Sequence, residues 1–278
     1  MLIPLCFVWS ALLSAPDSIP YNLSAPDLTI PLTQPELFEI SGLSPLPMPG
    51  KLLTIGDEKG EFYVLNASTG DIERSIRFRD KGDFEGVEWH GPCLFAVKSD
   101  GTLYEMSRWE GPKRKVYTYN TPLNKKNDVE GLCYDPKRHA LLLACKEDKT
   151  SSKSRGIYAF DLKTKRLADS AVYSTDVTDL QARLPKDKGN FFSPSGIAIH
   201  PLTGDIYVIS SAKKAILTLD YETGAVKHLQ ALNPKIFIQP EGIAFMPDGT
   251  LYISNEGGDR DIPASLLRFE LHKNAERE

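Results

Sequence analysis

Five short and similar segments recur along the chain at nearly regular intervals. Each has an acidic or hydroxyl residue, a glycine, a branched aliphatic residue and a fourth residue that is usually small. The copies are Ser41–Ser44, Glu85–Glu88, Glu130–Cys133, Ser195–Ala198 and Glu241–Ala244. Their first residues are separated by 44, 45, 65 and 46 positions. Self-similarity with a period of about 40–50 residues is typical of propellers and solenoids.

Every copy is followed by the same succession of short apolar segments. After Glu85, for example, come Leu94–Val97, the turn Ser99–Gly101 and then Leu103–Met106. Short β-branched and aromatic runs that are bounded by Gly, Pro, Asp and Asn predict strands. A further run closes most units, at positions 72–78, 115–119, 171–173 and 226–232. Four antiparallel strands per unit make up one blade of a β-propeller.

The two ends of the chain predict how the ring of blades closes. The unit after Glu241 has only three strands, and positions 27–32 form a strand without a unit of its own. Pairing the two would complete the last blade and leave no free radial edge. A sixth blade would have to lie in the 65-residue interval, where positions 177–184 instead favour a short helix with Asp176 as its N-cap. We therefore predict an all-β fold, a propeller of five four-stranded blades, with six blades as the alternative.

Composition places the chain among soluble globular proteins. Of its 278 residues, 41% are hydrophobic and 25% are charged, which is compatible with a single repeat domain. The net charge of -4 argues against binding to nucleic acids or to anionic membranes. Cys93, Cys133 and Cys145 lie in apolar runs, and the sequence has no C-x-x-C motif. We therefore predict neither a disulfide nor a zinc site.

The N-terminal residues have features of a secretory signal. The first 13 residues carry no charge and are followed by Ser14-Ala15; such a run is too short to span a bilayer but suits a signal peptide. The absence of a basic residue and the presence of Pro16 depart from that pattern, and an apolar N-terminal strand is the alternative. A lipoprotein anchor at Cys6 is disfavoured because the preceding Leu5 is not small. We predict a signal peptide at 1–15, a linker at 16–25 and one propeller domain at 26–278, exported to the periplasm or cell envelope without a transmembrane span.

The predicted topology brings polar side chains together at one mouth of the central channel. In each blade the first strand begins, and its antiparallel neighbour ends, on the same side of the ring. The beginnings of the first strands place there Ser41, Glu85, Glu130, Ser195 and Glu241. The ends of the second strands add Asp57, Glu58, Lys98, Lys146, Ser211, Asn255 and Glu256.

Three glutamates that converge near an axis repel one another unless a cation neutralises them or their pKa values rise. Carboxylate and amide oxygens favour a hard cation, and Ca²⁺ takes about six to eight such ligands. One hypothesis is therefore a calcium ion that is bound by some of Glu85, Glu130, Glu241 and Asn255. The alternative is structural: Lys98 and Lys146 pair with the glutamates and lock blade to blade, or each glutamate accepts N–H bonds from the next blade.

Nucleophilic catalysis has little support in the sequence. There is no G-x-S-x-G motif. His90, His139 and His200 fall at the far ends of the first strands or in the following turns, so we expect them at the opposite mouth from the glutamates. We expect His228 in an outer strand and His272 in the C-terminal tail. Four aromatic residues are candidates for a ligand groove, although packing is the expected role of each: Trp89, Trp109, Phe191 and Phe192.

The repeat resembles that of the SdiA-regulated family of bacterial β-propellers. The resemblance rests on Asp83–Val87, Asp128–Leu132, Phe192–Ile197 and Gln239–Ala244, together with Glu39–Leu43, and extends from about Pro26 to the C-terminus. It implies an exported or envelope-associated propeller without an established activity. More distantly, the chain is similar to the calcium-dependent propellers of the gluconolactonase and paraoxonase type. A paraoxonase-like lactonase would need a histidine near its metal, and the repeat places none at the acidic mouth.

We therefore expect a binding or interaction module rather than an enzyme. Its ligand or cation would lie at the acidic mouth of the channel, and its partner would be a small molecule or an envelope protein. The alternative is a calcium-dependent hydrolase of an ester, lactone or phosphoester, in which the metal activates water. We expect no partner nucleic acid, no cofactor other than calcium, and a monomer.

Overall fold

The computed structural model describes residues 18–147, 153–185, 191–258 and 262–272. Their strands form five antiparallel sheets, each of which has its innermost strand next to the innermost strands of the two neighbouring sheets. The prediction of a five-bladed propeller is confirmed. The 65-residue interval holds no sixth sheet in the part of the chain that is described.

The strands of each blade run from the channel outwards. Blade 1 consists of β2 (Ile40–Pro45), β3 (Lys51–Gly56), β4 (Lys59–Asn66) and β5 (Ile72–Lys81). Blade 2 consists of β6 (Phe84–His90), β7 (Cys93–Lys98), β8 (Thr102–Ser107) and β9 (Lys115–Asn120). Blade 3 consists of β10 (Val129–Asp135), β11 (Ala140–Cys145), β12 (Ser154–Asp161), β13 (Arg166–Leu167) and β14 (Tyr173–Asp176).

The last two blades complete the ring. Blade 4 consists of β15 (Gly196–Ile199), β16 (Ile206–Ser210), β17 (Ala215–Leu219) and β18 (Val226–Ala231). Blade 5 consists of β19 (Pro240–Phe245), β20 (Leu251–Asn255), β21 (Ala264–Phe269) and β1 (Leu28–Leu32). Strand β1 pairs with β21 from Leu28 opposite Arg268 to Leu32 opposite Ala264. The predicted closure by the N-terminal strand is confirmed.

The outer edge of blade 3 differs from the single strand that was predicted at 171–173. Two short strands pair with the two ends of β12: β13 lies opposite Phe160 and Asp161, and β14 lies opposite 154–157. Helix α1 (Val177–Arg183) follows directly, and the Asp176 carboxylate accepts a 2.7 Å bond from the Thr178 amide. This satisfies one of the free N–H groups at the start of the helix. The predicted helix and its cap are therefore confirmed.

The glycines of the five repeats make the close packing of the inner ring possible. Each one faces the third residue of the next copy along the ring, so that an added Cβ atom would come within 2.7–3.2 Å of that residue. The pairs are Gly42 with Val87, Gly86 with Leu132, Gly131 with Ile197, Gly196 with Ile243, and Gly242 with Leu43. Real Cβ atoms rarely approach so closely, and a side chain here would push two blades apart. The repeat is therefore a packing motif around the whole channel.

The segment before β1 packs on the propeller. Within the predicted linker, Ile19, Tyr21 and Leu23 are buried in a cluster that includes Tyr207 and Phe245. The predicted signal peptide at 1–15 lies outside the described residues. Within the described residues, the cysteines at positions 93, 133 and 145 form no disulfide bond. None of the helices described here combines the length and the apolar character that crossing a bilayer requires.

Candidate functional site

Four of the five innermost strands begin with a β-bulge at the repeat. The strand register shifts between Ile40 and Leu43, and a similar shift precedes Gly86, Gly131 and Gly242. A bulge leaves one residue outside the ladder and re-aims its side chain. The residues so released are the first residues of the repeats: Ser41, Glu85, Glu130 and Glu241. These bulges are the local reason why the three glutamates face the same mouth, which we call the acidic mouth.

Glu130 is the glutamate that has a cationic partner. The whole residue is 6% exposed, and its carboxylate accepts a 3.0 Å hydrogen bond from Nζ of Lys146. Burial raises the pKa of Glu130 to about 7, although the charge of Lys146 opposes this rise. The ammonium group also lies 4.0 Å from the Asp128 carboxylate, and the carboxylates around it raise the pKa of Lys146. The proposed pairing with Lys146 is thus present, but it joins β10 to β11 within one blade and does not lock neighbouring blades together.

Glu85 and Glu241 have raised pKa values, although the nearby charge of Lys146 partly opposes the rise in both. Burial and the nearby charge of Glu130 raise the pKa of Glu85 to about 9. Burial and the same neighbour raise the pKa of Glu241 to about 8, with a hydrogen bond from Ser211 acting in the opposite direction. No ion pair joins either carboxylate to a cation within the described ranges. At neutral pH these two groups hold protons that a bound cation would displace.

The ends of the second strands extend the acidic mouth towards blades 5 and 1. Burial raises the pKa of Asp57 and that of Glu256 to about 7, with Glu39 as a further cause for Asp57 and Asp57 as a further cause for Glu256. Gln239 donates a short hydrogen bond to Glu256, and Glu58 is exposed. One carboxylate oxygen of Asp57 is buried without a hydrogen-bond donor among the described residues. At this end of the mouth, an Asp57 carboxylate oxygen can therefore still accept a hydrogen bond or bind a cation.

Asn255 also has an unused acceptor. Its amide nitrogen donates to the carbonyl oxygen of Ile236 at 3.0 Å and to the Ser265 hydroxyl at 3.1 Å. Its Oδ1 atom is buried and has no donor within the described part of the chain. Buried polar atoms normally have a partner, so this oxygen without a donor is an observation that a cation or a water would explain.

Two of the predicted site residues, Ser195 and Lys98, have partners within the protein, and a third, Ser41, is buried. The Ser195 hydroxyl donates to the carbonyl oxygen of Pro240 at 2.6 Å and accepts from the Ser211 amide at 3.1 Å, which joins blade 4 to blade 5. Ser41 is buried. Lys98 pairs with Asp100 at 3.0 Å. The suggested pairing of Lys98 with a channel glutamate is therefore wrong, because the turn after β7 offers a carboxylate two residues away.

The acidic side chains are spread around the mouth rather than gathered at one point. In the ranges that the structure describes, no three His, Cys, Asp or Glu side chains lie close enough together to hold a metal ion. The arrangement instead places several carboxyl groups near Lys146, and the mouth becomes more negative as these groups lose their protons with rising pH.

The histidines lie at the opposite mouth, where the innermost strands end. His90 stacks on Tyr134 with ring centroids 3.7 Å apart, and its ring lies 5.6 Å from that of His139. Burial lowers the pKa of His90 and that of His200. His228 lies in the outer strand β18. The predicted separation of His90, His139 and His200 from Glu85, Glu130 and Glu241 is confirmed, and we call this end the histidine mouth.

A cavity of about 620 Å³ opens at the histidine mouth and contains a glutamate that the sequence did not single out. Glu88 as a whole residue is 8% exposed, and its carboxylate accepts bonds from the Ser44 hydroxyl at 2.5 Å, the Trp89 amide at 2.9 Å and the Tyr134 amide at 2.9 Å. These donors belong to blades 1, 2 and 3, so Glu88 is the glutamate that links neighbouring blades. Burial raises its pKa to about 7. The signal that was missed is its position as the one charged fourth residue among Ser44, Glu88, Cys133, Ala198 and Ala244.

The candidate aromatic residues have different surroundings. Trp89 lines the cavity at the histidine mouth. Trp109 is buried beneath the Arg74 guanidinium, whose carbon lies 5.3 Å from the ring centroid. Phe192 is buried in the core and Phe191 is 51% exposed. Packing therefore accounts for Trp109 and Phe192, whereas Trp89 lines a cavity in which it could contact a ligand.

Comparison with solved structures identifies the same architecture in proteins of different activity. The glutaminyl cyclase of Myxococcus xanthus has 17% sequence identity and a TM-score of 0.58, and the match covers 88% of this chain and 95% of that chain. The PQQ-bound aldose sugar dehydrogenase of Streptomyces coelicolor has 14% identity and a TM-score of 0.50, over 88% and 99% of the two chains. At these identities the likeness shows the fold alone.

The family comparison covers most of the chain. No curated protein matches the sequence significantly. The family model described as SdiA-regulated matches residues 32–258, a range that contains all five repeats and their bulges. On this match, and on the propeller that the repeats build, the chain belongs to the SdiA-regulated family.

Proposed function

We propose that this protein is a non-catalytic binding module whose acidic mouth takes a cationic ligand. The observation that carries the proposal is that Glu85, Glu130 and Glu241 are buried at one mouth, where only Glu130 pairs with a lysine among the described residues. Each pKa is raised by burial and, for Glu85 and Glu241, by the charge of Glu130. A cation that binds there would replace the protons that Glu85 and Glu241 retain at neutral pH, so its binding should strengthen as the pH rises.

Calcium is the cation that we propose to test first. It accepts carboxylate and amide oxygens in irregular arrangements, which suits dispersed side chains better than a small ion of strict geometry would. Glu85, Glu130 and Glu241 would supply carboxylate oxygens, and Asn255 would supply the buried amide oxygen that has no donor. Calcium would neutralise the mouth and join blades 2, 3 and 5 at their inner strands.

The experiment is metal analysis of the purified protein, combined with thermal melts in excess chelator and in excess calcium. A bound ion raises the melting temperature as its concentration increases, because it binds the folded state only. We expect a calcium-dependent increase that the Glu85→Gln/Glu241→Gln double variant lacks. Glu110→Gln removes an exposed carboxylate outside the mouth and serves as the matched control. An unchanged melt of the wild-type protein across calcium concentrations, with no metal in the preparation, would rule out calcium.

If calcium fails, the same variants test the broader proposal with an organic dication such as putrescine. The wild-type protein should then show a melting shift with putrescine, and the double variant should not. A lack of response to both ligands would overturn the cationic-ligand proposal and leave the glutamates as structural residues.

A calcium-dependent hydrolase is the second candidate, and one observation favours it. Burial holds the pKa of Glu130 at about 7, which is the range in which a carboxyl group acts well as a general acid or base. The wild-type protein and Glu130→Gln should be assayed with calcium on 4-nitrophenyl acetate, a γ-lactone and 4-nitrophenyl phosphate. Turnover that falls about 100-fold in a folded Glu130→Gln variant would support this candidate. No turnover of any of the three would contradict it.

The proposed compartment is the periplasm or cell envelope. The support is that the first 13 residues are uncharged and are followed by the small residues Ser14 and Ala15. The length of this run and the small residues after it match a secretory signal. A fusion of residues 1–25 to alkaline phosphatase, which is active only after export, tests this proposal. We expect activity from that fusion and none from a fusion that begins at residue 16.

A further inference from the structure

The cavity at the histidine mouth is built from the same repeats as the acidic mouth. Its walls come from the third, fourth and fifth residues of the repeats, so it reaches from the surface loops down into the channel. Apolar contributors include Leu43, Ile197, Ile243 and Phe245, and the small fourth residues Ala198 and Ala244 leave the space open. A volume of about 620 Å³ lies within the range of about 300–1,000 Å³ that is typical of small-molecule sites.

Glu88 is the carboxylate that this cavity exposes to a ligand. Among the described residues that line the cavity, no other is acidic. A carboxylate has about four acceptor positions, and the three donors to Glu88 are two backbone amides and a hydroxyl. All three are neutral, and one acceptor position remains. The charge of Glu88 is therefore stabilised by dipoles alone, at the side of an apolar space.

The basic residues of the lining have other partners. The Lys137 ammonium group pairs with Glu222 at 2.5 Å and lies 4.3 Å from the centroid of the Tyr221 ring. Nε2 of His200 lies 2.8 Å from the Tyr21 hydroxyl, and its Nδ1 atom accepts from two backbone amides. His90 is stacked on Tyr134, and burial lowers its pKa, which disfavours the charged form. These groups do not compensate the Glu88 carboxylate.

A single acidic group in an apolar cavity selects for one kind of ligand. An apolar body gains free energy by leaving water, and an N–H⁺ group can make a charge-assisted bond to the carboxylate. A carboxylate or phosphate ligand would instead be repelled. We propose that the cavity is a binding site for an amine with a large apolar body, whose ammonium group donates to Glu88. This site is separate from the acidic mouth and does not depend on the function proposed for it.

Dansylcadaverine is a suitable probe, because it carries a primary amine on a five-carbon chain and a large apolar fluorophore. Its fluorescence rises and shifts to the blue when the fluorophore leaves water. The matched neutral probe is the same molecule with a terminal hydroxyl group in place of the amine. We expect the wild-type protein to bind the amine at least about tenfold more tightly than the alcohol, as a hydrogen bond between charged groups provides.

Three variants assign that preference to a site. In Glu88→Gln the preference for the amine over the alcohol should fall to about one, while the alcohol still binds. In Ala198→Phe an aromatic ring fills part of the cavity, and binding of both probes should weaken at least about tenfold. In the Glu85→Gln/Glu241→Gln double variant, which alters only the acidic mouth, the preference should be unchanged.

Several results would overturn the inference. These are no binding of either probe by the wild-type protein, equal binding of amine and alcohol, and an amine preference that survives in folded Glu88→Gln. A preference that is lost in the Glu85→Gln/Glu241→Gln variant would place the amine at the acidic mouth instead. If Glu88→Gln does not fold, the wild-type comparison together with Ala198→Phe still decides: binding that is unaffected by the added ring contradicts a ligand in this cavity.

Discussion

The Tyr21 hydroxyl group lies 2.8 Å from Nε2 of His200 and donates a 2.6 Å hydrogen bond to the carbonyl oxygen of Gly249. Because that bond uses the only hydroxyl hydrogen, Nε2 of His200 must carry a proton and donate it to the tyrosine oxygen. Its Nδ1 atom accepts from the amides of Leu202 and Thr203, each at 3.2 Å. His200 is therefore neutral with its proton on Nε2, and it fixes the N-terminal segment to the ends of blades 4 and 5.

Tyr21→Phe tests this attachment. The variant keeps the ring and leaves both the buried Nε2 proton and the Gly249 carbonyl without their partner, which should cost about 1–3 kcal/mol of unfolding free energy. Hydrogen exchange in residues 18–23 should accelerate more than exchange in the inner strands. The control is Tyr117→Phe, at a tyrosine that is 44% exposed. Equal denaturation midpoints for the two variants would contradict a structural role for the Tyr21 hydroxyl.

The inner ring of the propeller could be predicted because its packing recurs in the sequence. A glycine is required at Gly42, Gly86, Gly131, Gly196 and Gly242 by one and the same contact between blades, so the requirement appears five times at a near-constant spacing. The missing fourth strand of the last blade likewise appears as an unmatched strand before Ser41. Both predictions rest on backbone geometry, which the repeat encodes directly.

Side-chain partners could not be predicted in the same way. Lys98 is the last residue of β7, opposite Phe84, whereas Lys146 lies one position further along its blade, after Cys145 opposite Val129. A shift of one residue turns a side chain to the other face of a strand, and Lys98 pairs with Asp100 while Lys146 pairs with Glu130. Glu88 was missed because its partners, Ser44 and the Tyr134 amide, are far away in sequence and meet it only where neighbouring blades pack together. Tyr21 was missed for the same reason.

Lys146→Gln should destabilise the protein in a pH-dependent way. The variant leaves the Glu130 carboxylate without its cationic partner, on a side chain that is only 7% exposed. Because Lys146 itself is 39% exposed, the cost should be about 1–3 kcal/mol, below the range for fully buried pairs. The cost should be greatest above pH 7, where Glu130 would be ionised, and should be small at pH 5, where Glu130 keeps its proton in the folded state.

Two further variants test whether this cost comes from an unpaired charge. The double variant Glu130→Gln/Lys146→Gln should recover most of the stability that Lys146→Gln loses at pH 8. Lys98→Gln, which separates a lysine from a partly exposed aspartate at the same mouth, should cost less than 1 kcal/mol, as is usual for surface pairs, about 0–1 kcal/mol. Loss of stability to the same extent at pH 5 and pH 8 would show that Lys146 acts through packing instead.

Glu85→Gln should stabilise the metal-free protein at alkaline pH. The pKa of Glu85 rises from 4.5 to about 9 on folding, so the folded state binds its proton more tightly than the unfolded state does. The stability of the wild-type protein therefore falls as the pH increases from about 4.5 to about 9. Glutamine removes this dependence. In chelator, the melting temperature of Glu85→Gln should exceed that of the wild type by several degrees at pH 8.5 and by little at pH 4.5, because each kcal/mol of unfolding free energy shifts the melting temperature by about 2–4 °C.

The control for this pH effect is Glu110→Gln, at an exposed position, which should leave the melting temperature within about 1 °C of the wild type at both pH values. A Glu85→Gln variant that is less stable than the wild type at pH 8.5 would contradict the charge repulsion described here. In saturating calcium the order should reverse if Glu85 is a ligand, because the variant then loses an oxygen that binds the ion.

Gly86→Ala tests the packing between inner strands. The added Cβ atom would lie 2.8 Å from Cβ of Leu132 and 3.0 Å from its backbone nitrogen, on the next blade. Neither atom is the end of a flexible side chain, so relief requires blade 2 to move against blade 3. We expect a loss of about 1–3 kcal/mol in urea denaturation. Gly111→Ala is the matched control, because the nearest atom to its added Cβ would be the Arg108 carbonyl oxygen at 3.8 Å. With this much space, the substitution should lower the unfolding free energy little or raise it by up to about 1 kcal/mol. If both variants unfold at the same urea concentration, the inner ring is looser than these contacts indicate, and the repeated glycine would need an explanation other than the approach of one blade to the next.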